Sequence, residues 1–432
     1  MVVANTKAAR TTFAAASIML LFQSSTALSS GFDNTGIGSM DLIFDPARFA
    51  FEFSSTYVDR NVDYEATNPQ RFSVDNDGNP FSFKPIEGGD KPKARATPNV
   101  WNYQAAAKVN VVGGIDCLVR GLNPGTILEE LPQEWDGRYS VVTTDLQTFG
   151  LDTTCSLRMP VSDGMYFRVL GGGRYVQADL TVQKAANLVG FDTTADVNMS
   201  GSGFGWNAGA AFEVPEYAIR ASVMYDSEVN LEADGTFEAL EFYRNDTLVP
   251  GAFAKGPAQS DLVMPQAVEI NLQSGIAPRW LATLGVKWVD WSVLNKLDVN
   301  IAALVDLGGG IPADIPLTTS RIFNFKDGWT IRGGIGHQLT SSLALAGAVT
   351  WDQGIGGSYS DTWQFSLGGA YDINENVKFT LGGALAYKTA AKNELVRNTT
   401  QVGDLVPSGD QFDLSYDASW NFGVLTKLKL SF

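Results

Sequence analysis

The chain has 432 residues, a formal net charge of −16 and a single histidine. An acidic chain is poorly suited to neutralising phosphates, so nucleic acid is excluded as a partner. One histidine argues against a histidine-rich metal site, and no phosphate-binding loop is present, so we expect neither a metal nor a cofactor. The 44 glycines and 11% aromatic residues favour many alternating strands with tight turns.

The N-terminus has the layout of an export signal. Lys7 and Arg10 precede an apolar run, which is followed by small residues up to Ser30. This pattern predicts a secretory signal peptide over residues 1–27, with cleavage after Ala27 or Ser29. The apolar run is too short to cross a bilayer, and no later segment is long and uncharged enough, so any membrane insertion would depend on strands.

Residues 28–48 alternate poorly and are rich in Gly, Asp and Asn. They include Gly36 and Gly38 and end in Asp45-Pro46-Ala47. The sequence predicts a short irregular segment ahead of the first strand. Such a segment emerges at the periplasmic mouth of a barrel, where it either hangs free or folds into the lumen.

From residue 49 to residue 432 the chain alternates between apolar and polar residues in a long series of strands. Fourteen strands are predicted, beginning at Phe49, Trp101, Val111, Tyr139, Gly164, Gly203, Tyr217, Leu262, Trp280, Phe323, Leu343, Thr362, Val377 and Gln411. An even number of strands, with short turns at one end and long loops at the other, is typical of transmembrane barrels. The predicted fold is therefore an all-β, antiparallel, 14-stranded transmembrane β-barrel.

The last strand, Trp420–Phe432, places aromatic and aliphatic residues on one face and Lys427 and Lys429 on the other. This suits a wall between lipid and water, although a strand of a soluble sandwich would show the same alternation. The terminal Phe432 resembles the closing strand of bacterial outer-membrane barrels. We therefore expect a monomer in the outer membrane of a Gram-negative bacterium, in contact with outer-membrane lipid and inserted by the barrel assembly machinery.

The third predicted strand combines two features that set it apart. It contains Gly113-Gly114 and runs into Asn123-Pro124-Gly125, and glycine within a strand often marks a bulge or a bend. It also contains Cys117, which would lie level with Cys155 on the next strand if a turn falls near Asn110. In an oxidising compartment this predicts a disulfide, with two free buried thiols as the alternative.

The sequence offers no catalytic machinery, so the protein is not expected to be an enzyme. A nucleophile needs an activating base, and the one histidine, His337, falls on the lipid-facing register near a turn. The charged residues on the inward-facing register are Glu52, Lys108, Arg220, Lys287, Arg332, Lys427 and Lys429. These cations either pair with acids and backbone in the lumen or receive the carboxylate of a ligand, and Lys108, Arg220, Lys287 and Arg332 are the candidates for that second role.

Apolar residues also occur in the predicted loop after the third strand. They are Leu122, Ile127, Leu128, Leu131 and Trp135. They form either a groove that collects an apolar ligand or the contact between packed loops.

Three stretches resemble the FadL family of outer-membrane transporters for long-chain fatty acids and other hydrophobic compounds. The first is Gly203–Val229, with its Gly-Trp-Asn hairpin. The second is Met264–Leu297, with Trp288-x-x-Trp291-Ser292. The third is Phe325–Tyr371, and together the three cover about half of the chain.

The resemblance implies a 14-stranded barrel closed by an N-terminal hatch, residues 28–48. It implies a hydrophobic small-molecule ligand that leaves sideways at an inwardly kinked third strand, which we place at Gly113 and Gly114. Asp45-Pro46-Ala47 stands where the family usually has Asn-Pro-Ala, so Asp45 is a departure. The alternatives are a porin for polar solutes and a structural or adhesin barrel that acts through its loops.

Overall fold

A computed structural model describes residues 31–67, 70–73, 82–85, 91–96, 98–188, 191–244, 247–323, 325–393 and 413–432. The predicted signal peptide lies outside these residues and stays a prediction. Within the described ranges, no helix has the length and apolar content that a membrane crossing requires.

Fourteen antiparallel strands form a closed wall. They are β1 Phe49–Asp59, β2 Val100–Val112, β3 Ile115–Leu122, β4 Thr143–Ser162, β5 Met165–Leu188, β6 Phe191–Val214, β7 Ile219–Asp226, β8 Ala267–Ala277, β9 Trp280–Val289, β10 Gly328–Gln338, β11 Leu343–Asp352, β12 Thr362–Asp372, β13 Val377–Lys388 and β14 Ser419–Ser431. Each strand pairs with the next, and β14 pairs with β1 from Ala50 opposite Ser431 to Asp59 opposite Phe422. The predicted number of wall strands is confirmed.

Alternation along each strand separates an outer apolar face from an inner polar one. In β1, Phe49, Phe51 and Phe53 are exposed, whereas Glu52 and Ser54 are buried. Because successive side chains of a strand point to opposite faces, one face can meet lipid while the other lines the lumen. The inward placement of Lys427 and Lys429 in β14 agrees with the predicted register.

Several predicted strand boundaries are wrong because the sheet continues beyond the wall at its long-loop end. Strands β5 and β6 are 24 residues each. The outer half of β6 pairs with Val229–Ala239, and the extension continues through Phe253–Met264, Lys296–Asp306 and Ala313–Ile322, with the small strands Phe242–Arg244 and Thr247–Leu248 at its margin. Predicted single strands such as Trp280–Val299 are therefore interrupted, there by a 3-10 turn at Trp291–Leu294.

A small cap covers part of the long-loop end. It consists of the strands Asp63–Thr67, Lys93–Arg95, Ala391–Asn393 and Asp413–Tyr416, with a separate hairpin Gln70–Ser73 and Ser82–Pro85. Leu131 and Trp135 are buried in its apolar core together with Tyr64, Val141 and Tyr416. Packing between loops thus accounts for Leu131 and Trp135, and they do not form an open groove. Two further 3-10 turns lie at Asp41–Phe44 and Pro215–Tyr217.

Candidate functional site

The N-terminal segment, residues 31–48, lies inside the ring of strands. Its 3-10 turn buries Leu42 and Ile43 against inward-facing wall residues such as Leu118 and Leu170. In its outer part, Asp33 forms an isolated antiparallel β-bridge with Gly125, which lies beyond the end of β3. The irregular segment predicted ahead of the first strand is thus folded into the lumen, and it does not hang free.

Two glycines give this segment its tight course. Gly36 and Gly38 have φ angles of +63° and +83°, which L-residues with a side chain rarely adopt. The Gly38 amide donates to Glu269 Oε1 of β8 at 2.8 Å. The backbone turn at these glycines therefore brings a main-chain donor to a buried wall carboxylate.

The end of the segment is held at Asp45-Pro46-Ala47. The Asp45 carboxylate forms an ion pair with Lys429 of β14 and accepts from the Ala47 amide at 2.8 Å. Lys108 Nζ donates to the carbonyl oxygens of Asp45 and Ala47 at 2.9 and 2.7 Å. A carboxylate at residue 45 supplies a countercharge for Lys429 that an asparagine would lack.

The four candidate carboxylate-binding residues all contact the N-terminal segment or an acid of the wall. Lys108 is 2.7 Å from Asp116, and Arg220 is 2.7 Å from Asp41. Lys287 pairs with Asp33, and Arg332 Nη1 donates weakly to the Ile37 carbonyl at 3.5 Å. The structure therefore favours internal pairing. Arg220 and Arg332 line one small pocket beside Asp41, which Lys108 and Lys287 do not line. Alternation analysis missed Arg120, which donates to Ser39 Oγ at 2.7 Å, although Arg120 has the inward parity of β3.

An apolar cavity of about 1220 Å³, part of it continuous with solvent, opens above the N-terminal segment. Phe32 of that segment lines it, with aliphatic and aromatic residues of the wall and its extension such as Ile127, Leu146, Leu297 and Phe325. Ser140, Thr144 and Lys184 supply polar groups. Sequence analysis did not find this cavity, because its residues come together from strands that are far apart in the chain. Some of them, such as Val197, Phe237 and Leu317, also lie on strands that were assigned to loops.

The third strand turns away from β2 at Asn123-Pro124-Gly125. Pairing between β2 and β3 ends at Gln104 opposite Leu122, and in the described chain Val100–Tyr103 pairs with β1 alone. The chain then pairs with β4 again over Thr126–Glu130, shifted by one residue. The Pro124 carbonyl accepts from the Asn34 amide at 3.1 Å, so the N-terminal segment contacts the bend. We call this unpaired boundary between β2 and the third strand the seam.

Gly113 and Gly114 do not bend the third strand as predicted. They form the two-residue turn between β2 and β3 at the short-turn end. Gly114 has a φ of +86°, and a Cβ there would lie 2.8 Å from the Arg158 carbonyl oxygen. A glycine pair marks a sharp change of direction, but spacing alone does not show whether it lies in a strand or in a turn.

Comparison with known proteins decides the family. A family model described as "Outer membrane protein transport protein (OMPP1/FadL/TodX)" matches residues 42–432. The chain belongs to the FadL/TodX family. It is thus a multi-pass β-barrel protein of the outer membrane, and its long-loop end is the external end.

Relatives in the FadL/TodX family agree with this assignment. The chain is 22% identical over 371 residues to the long-chain fatty acid transport protein of Salmonella typhi, covering 80% of this chain and 79% of that protein. The fold is shared with a Pseudomonas aeruginosa FadL homologue, at a TM-score of 0.66, 14% identity and coverage of 94% and 99%. It is also shared with the P. putida toluene transporter TodX, at a TM-score of 0.61, 13% identity and coverage of 96% and 98%.

Two further predicted features lie on the outer surface of this FadL/TodX barrel. The structure joins Cys117 of β3 to Cys155 of β4 by a disulfide between directly opposed residues. His337 lies on the outward register at the periplasmic end of β10, where its ring stacks on Trp280 at 4.2 Å. Neither feature reaches the lumen, so the candidate site consists of the N-terminal segment, the apolar cavity and the seam.

Proposed function

We propose that this protein transports fatty acids or similar hydrophobic compounds across the outer membrane. The observation that carries the proposal is the apolar cavity at the external end, whose floor includes Phe32 of the N-terminal segment. Relatives named for long-chain fatty acid transport and for toluene transport support the same class of substrate. A porin for polar solutes would not need so large an apolar cavity.

In this proposal residues 28–48 act as a hatch. Polar contacts from β2, β3, β7, β8, β9, β10 and β14 hold its described part across the lumen. Gly36, Gly38, Asp45, Pro46 and Ala47 shape and anchor the hatch. They block the axial route, and they are not the lining of a channel.

The proposed exit is sideways through the seam. Thr126 donates its amide to the Phe32 carbonyl at 3.2 Å, so the bend lies directly beside the floor of the apolar cavity. A ligand that leaves here enters the bilayer without exposing its tail to water. Since hydration of a tail costs about 0.8 kcal/mol per methylene, this route is strongly favoured for a long chain.

Deleting Pro124 tests the exit. Leu122 of the third strand pairs with Gly150 of β4, and Thr126 pairs with Gln147. Between these two pairs the third strand has one residue more than β4. Removing Pro124 restores a continuous register and lets the strand pair with β2, because a bulge disappears with its extra residue. Uptake of a hydrophobic substrate by cells should fall to the background level, while the barrel keeps its folded mobility on an unheated gel.

The matched control is deletion of Val161. This residue is the extra one in a bulge of β4 at the periplasmic end, far from the seam. Its loss should leave uptake near the wild-type rate. Uptake at that rate by the folded Pro124 deletion would refute lateral exit and favour passage past the hatch.

A further inference from the structure

A second cavity lies at the external end of the barrel, beside the apolar cavity. It encloses about 640 Å³, part of it continuous with solvent, and its lining is mainly polar. Three of the residues that line it are inward-facing residues of the wall, namely Asp352 of β11, Thr362 of β12 and Asn421 of β14. This space, the external polar cavity, therefore reaches the inner face of the wall on the side of β11 to β14.

The small pocket beside Asp41 lies toward the periplasmic end of the lumen. It encloses about 400 Å³, part of it continuous with solvent, between the N-terminal segment and strands β7 to β10. Gln273, which lines it, donates to the carbonyl of Ala218 at 3.1 Å, and Ala218 belongs to the short periplasmic turn between β6 and β7. Asn271 and Thr283 add further polar groups to the lining. We call this pocket the periplasmic polar cavity.

A row of three polar side chains lies between the two polar cavities. Arg332 of β10 pairs with Thr350 of β11, which pairs with Gln364 of β12, and all three are buried on the inner face. Arg332 lines the periplasmic polar cavity. On β11 and β12 the next inward residues toward the external end are Asp352 and Thr362, which line the external polar cavity. The row is therefore the constriction between the two cavities.

Each residue of the constriction has a polar atom that the protein leaves unmatched. Arg332 Nε, Thr350 Oγ1 and Gln364 Nε2 are buried, and within the described chain none of these three atoms has a hydrogen-bond partner. Buried polar groups are nearly always hydrogen-bonded, and water serves as the partner where the protein does not. Three unmatched groups on adjacent strands therefore favour a place that water visits.

The wall beside the constriction carries only small or uncharged side chains. The inward residues within 344–350 of β11, 362–370 of β12 and 380–386 of β13 are all Ala, Gly, Ser, Thr or Gln. The apolar residues of the N-terminal segment, such as Leu42 and Ile43, pack instead against β1 to β3 and β5 to β7, across the lumen. The segment is thus held against one side of the barrel, and the smooth polar face forms the other.

We propose that the two polar cavities and the constriction form a lane that carries water and small uncharged solutes past the hatch. The hatch still blocks a hydrophobic ligand, because an apolar tail gains nothing from a polar lining. Within the described chain no carboxylate oxygen lies at salt-bridge distance from Arg332, whose one hydrogen bond is the weak contact with Ile37. Its positive charge therefore faces the constriction, and a fixed cation in a narrow polar pore excludes other cations. The lane is a second function, and it does not depend on which hydrophobic ligand the protein transports.

Osmotic shrinkage of proteoliposomes tests the lane. Purified full-length protein is reconstituted into phosphatidylcholine vesicles, and shrinkage in a sucrose gradient is followed by stopped-flow light scattering, with urea entry measured in the same way. We expect the wild type to raise both rates above those of protein-free vesicles. The double variant Thr350→Val, Gln364→Leu keeps the side-chain volumes but removes the unmatched groups, so the increase should fall roughly tenfold or more. Mobility on an unheated gel shows whether this variant is folded.

The matched control is Thr153→Val with Gln177→Leu. It makes the same two chemical changes at exposed, outward-facing residues of β4 and β5 and should change neither rate. A second variant, Arg332→Gln, keeps hydrogen-bonding groups in the constriction but removes the charge. Its water rate should stay within about twofold of the wild type, whereas potassium leak from the vesicles should rise by about tenfold.

Wild-type vesicles that shrink no faster than protein-free ones would refute the lane. So would equal water and urea rates in the wild type and the folded double variant. If the double variant does not fold, a potassium leak that stays at the wild-type level in Arg332→Gln decides against the lane. Uptake of a hydrophobic substrate by cells is measured in parallel, and wild-type uptake by the double variant shows that the two functions are separate.

Discussion

The inward-facing cations of the barrel form ion pairs and hydrogen bonds with the protein's own carboxylates and carbonyls. Lys108, Arg220 and Lys287 each lie within bonding distance of an acid, and all three are buried. Breaking a buried pair by removing one partner costs about 3–5 kcal/mol, because a charge stays buried without compensation. A substrate carboxylate would therefore compete poorly for these residues, and they hold the N-terminal segment in place.

Replacement of Asp45 tests this anchoring. Asp45→Asn keeps the shape of the side chain but leaves Lys429 without its countercharge, and both side chains are less than a tenth exposed. We expect the free energy of unfolding to fall by about 3 kcal/mol, measured by urea titration of the barrel refolded in detergent.

The control for Asp45 is Asp298→Asn. Asp298 pairs with Lys296 at 2.7 Å, but both side chains are more than two-fifths exposed. Exposed pairs contribute about 0–1 kcal/mol, so this variant should be close to the wild type. Equal losses in the two variants would show that burial of the Asp45 pair is unimportant.

Sequence alternation predicted which residues face the lumen but not which of them meet. Parity alone placed Glu52 and Lys427 on the inner face, and the structure pairs them at 3.0 Å. Parity gave no sign that Glu269 accepts from Gly38, 231 residues earlier. Partners on an irregular segment depend on its path through the lumen, which no periodic pattern encodes.

At the level of single elements, the turn between β2 and β3 depends on one of its two glycines. Gly114 has a positive φ and no room for a Cβ beside the Arg158 carbonyl, whereas Gly113 has nothing within 4 Å of that position. Gly114→Ala should destabilise the barrel by about 1–2 kcal/mol, and Gly113→Ala should change stability little. The loss of folded mobility on heating in detergent measures both.

This pair of variants is its own control, since the same methyl group is added one residue apart. Equal effects at residues 113 and 114 would contradict the assigned turn geometry. They would reopen the possibility of a bend inside the third strand.

The number of wall strands was predictable from sequence, whereas the lengths of the strands were not. The wall strands show lipid-facing apolar residues, and these gave the count of fourteen. Beyond the membrane, β5 and β6 keep alternating, but their outward residues are polar, as at Gln177, Asp179 and Thr181. A pattern that requires apolar outer faces therefore leaves the outer parts of β5 and β6 unassigned, although cavity residues such as Val182 and Val197 lie there.

For the whole molecule, the proposed hatch predicts low ion conductance. A barrel of this size without its hatch would hold a water-filled lumen. Deleting residues 31–44 should raise single-channel conductance in planar bilayers by on the order of tenfold. A deletion that spans the outer hairpin Gln70–Ser73 and Ser82–Pro85 should leave it unchanged. A high conductance in the intact protein would indicate a porin.

The contacts between the chain's beginning and its end also constrain how the molecule is made. Asp45 is synthesised early, yet its partner Lys429 lies 384 residues later on the strand that closes the ring. Phe49 and Phe432 exchange backbone hydrogen bonds at the same level. Contacts so distant in sequence form slowly, because a long loop must close before they contribute. Closure of the ring and anchoring of the N-terminal segment therefore belong to one late step of biogenesis, and a barrel stalled before its last strand would stand open.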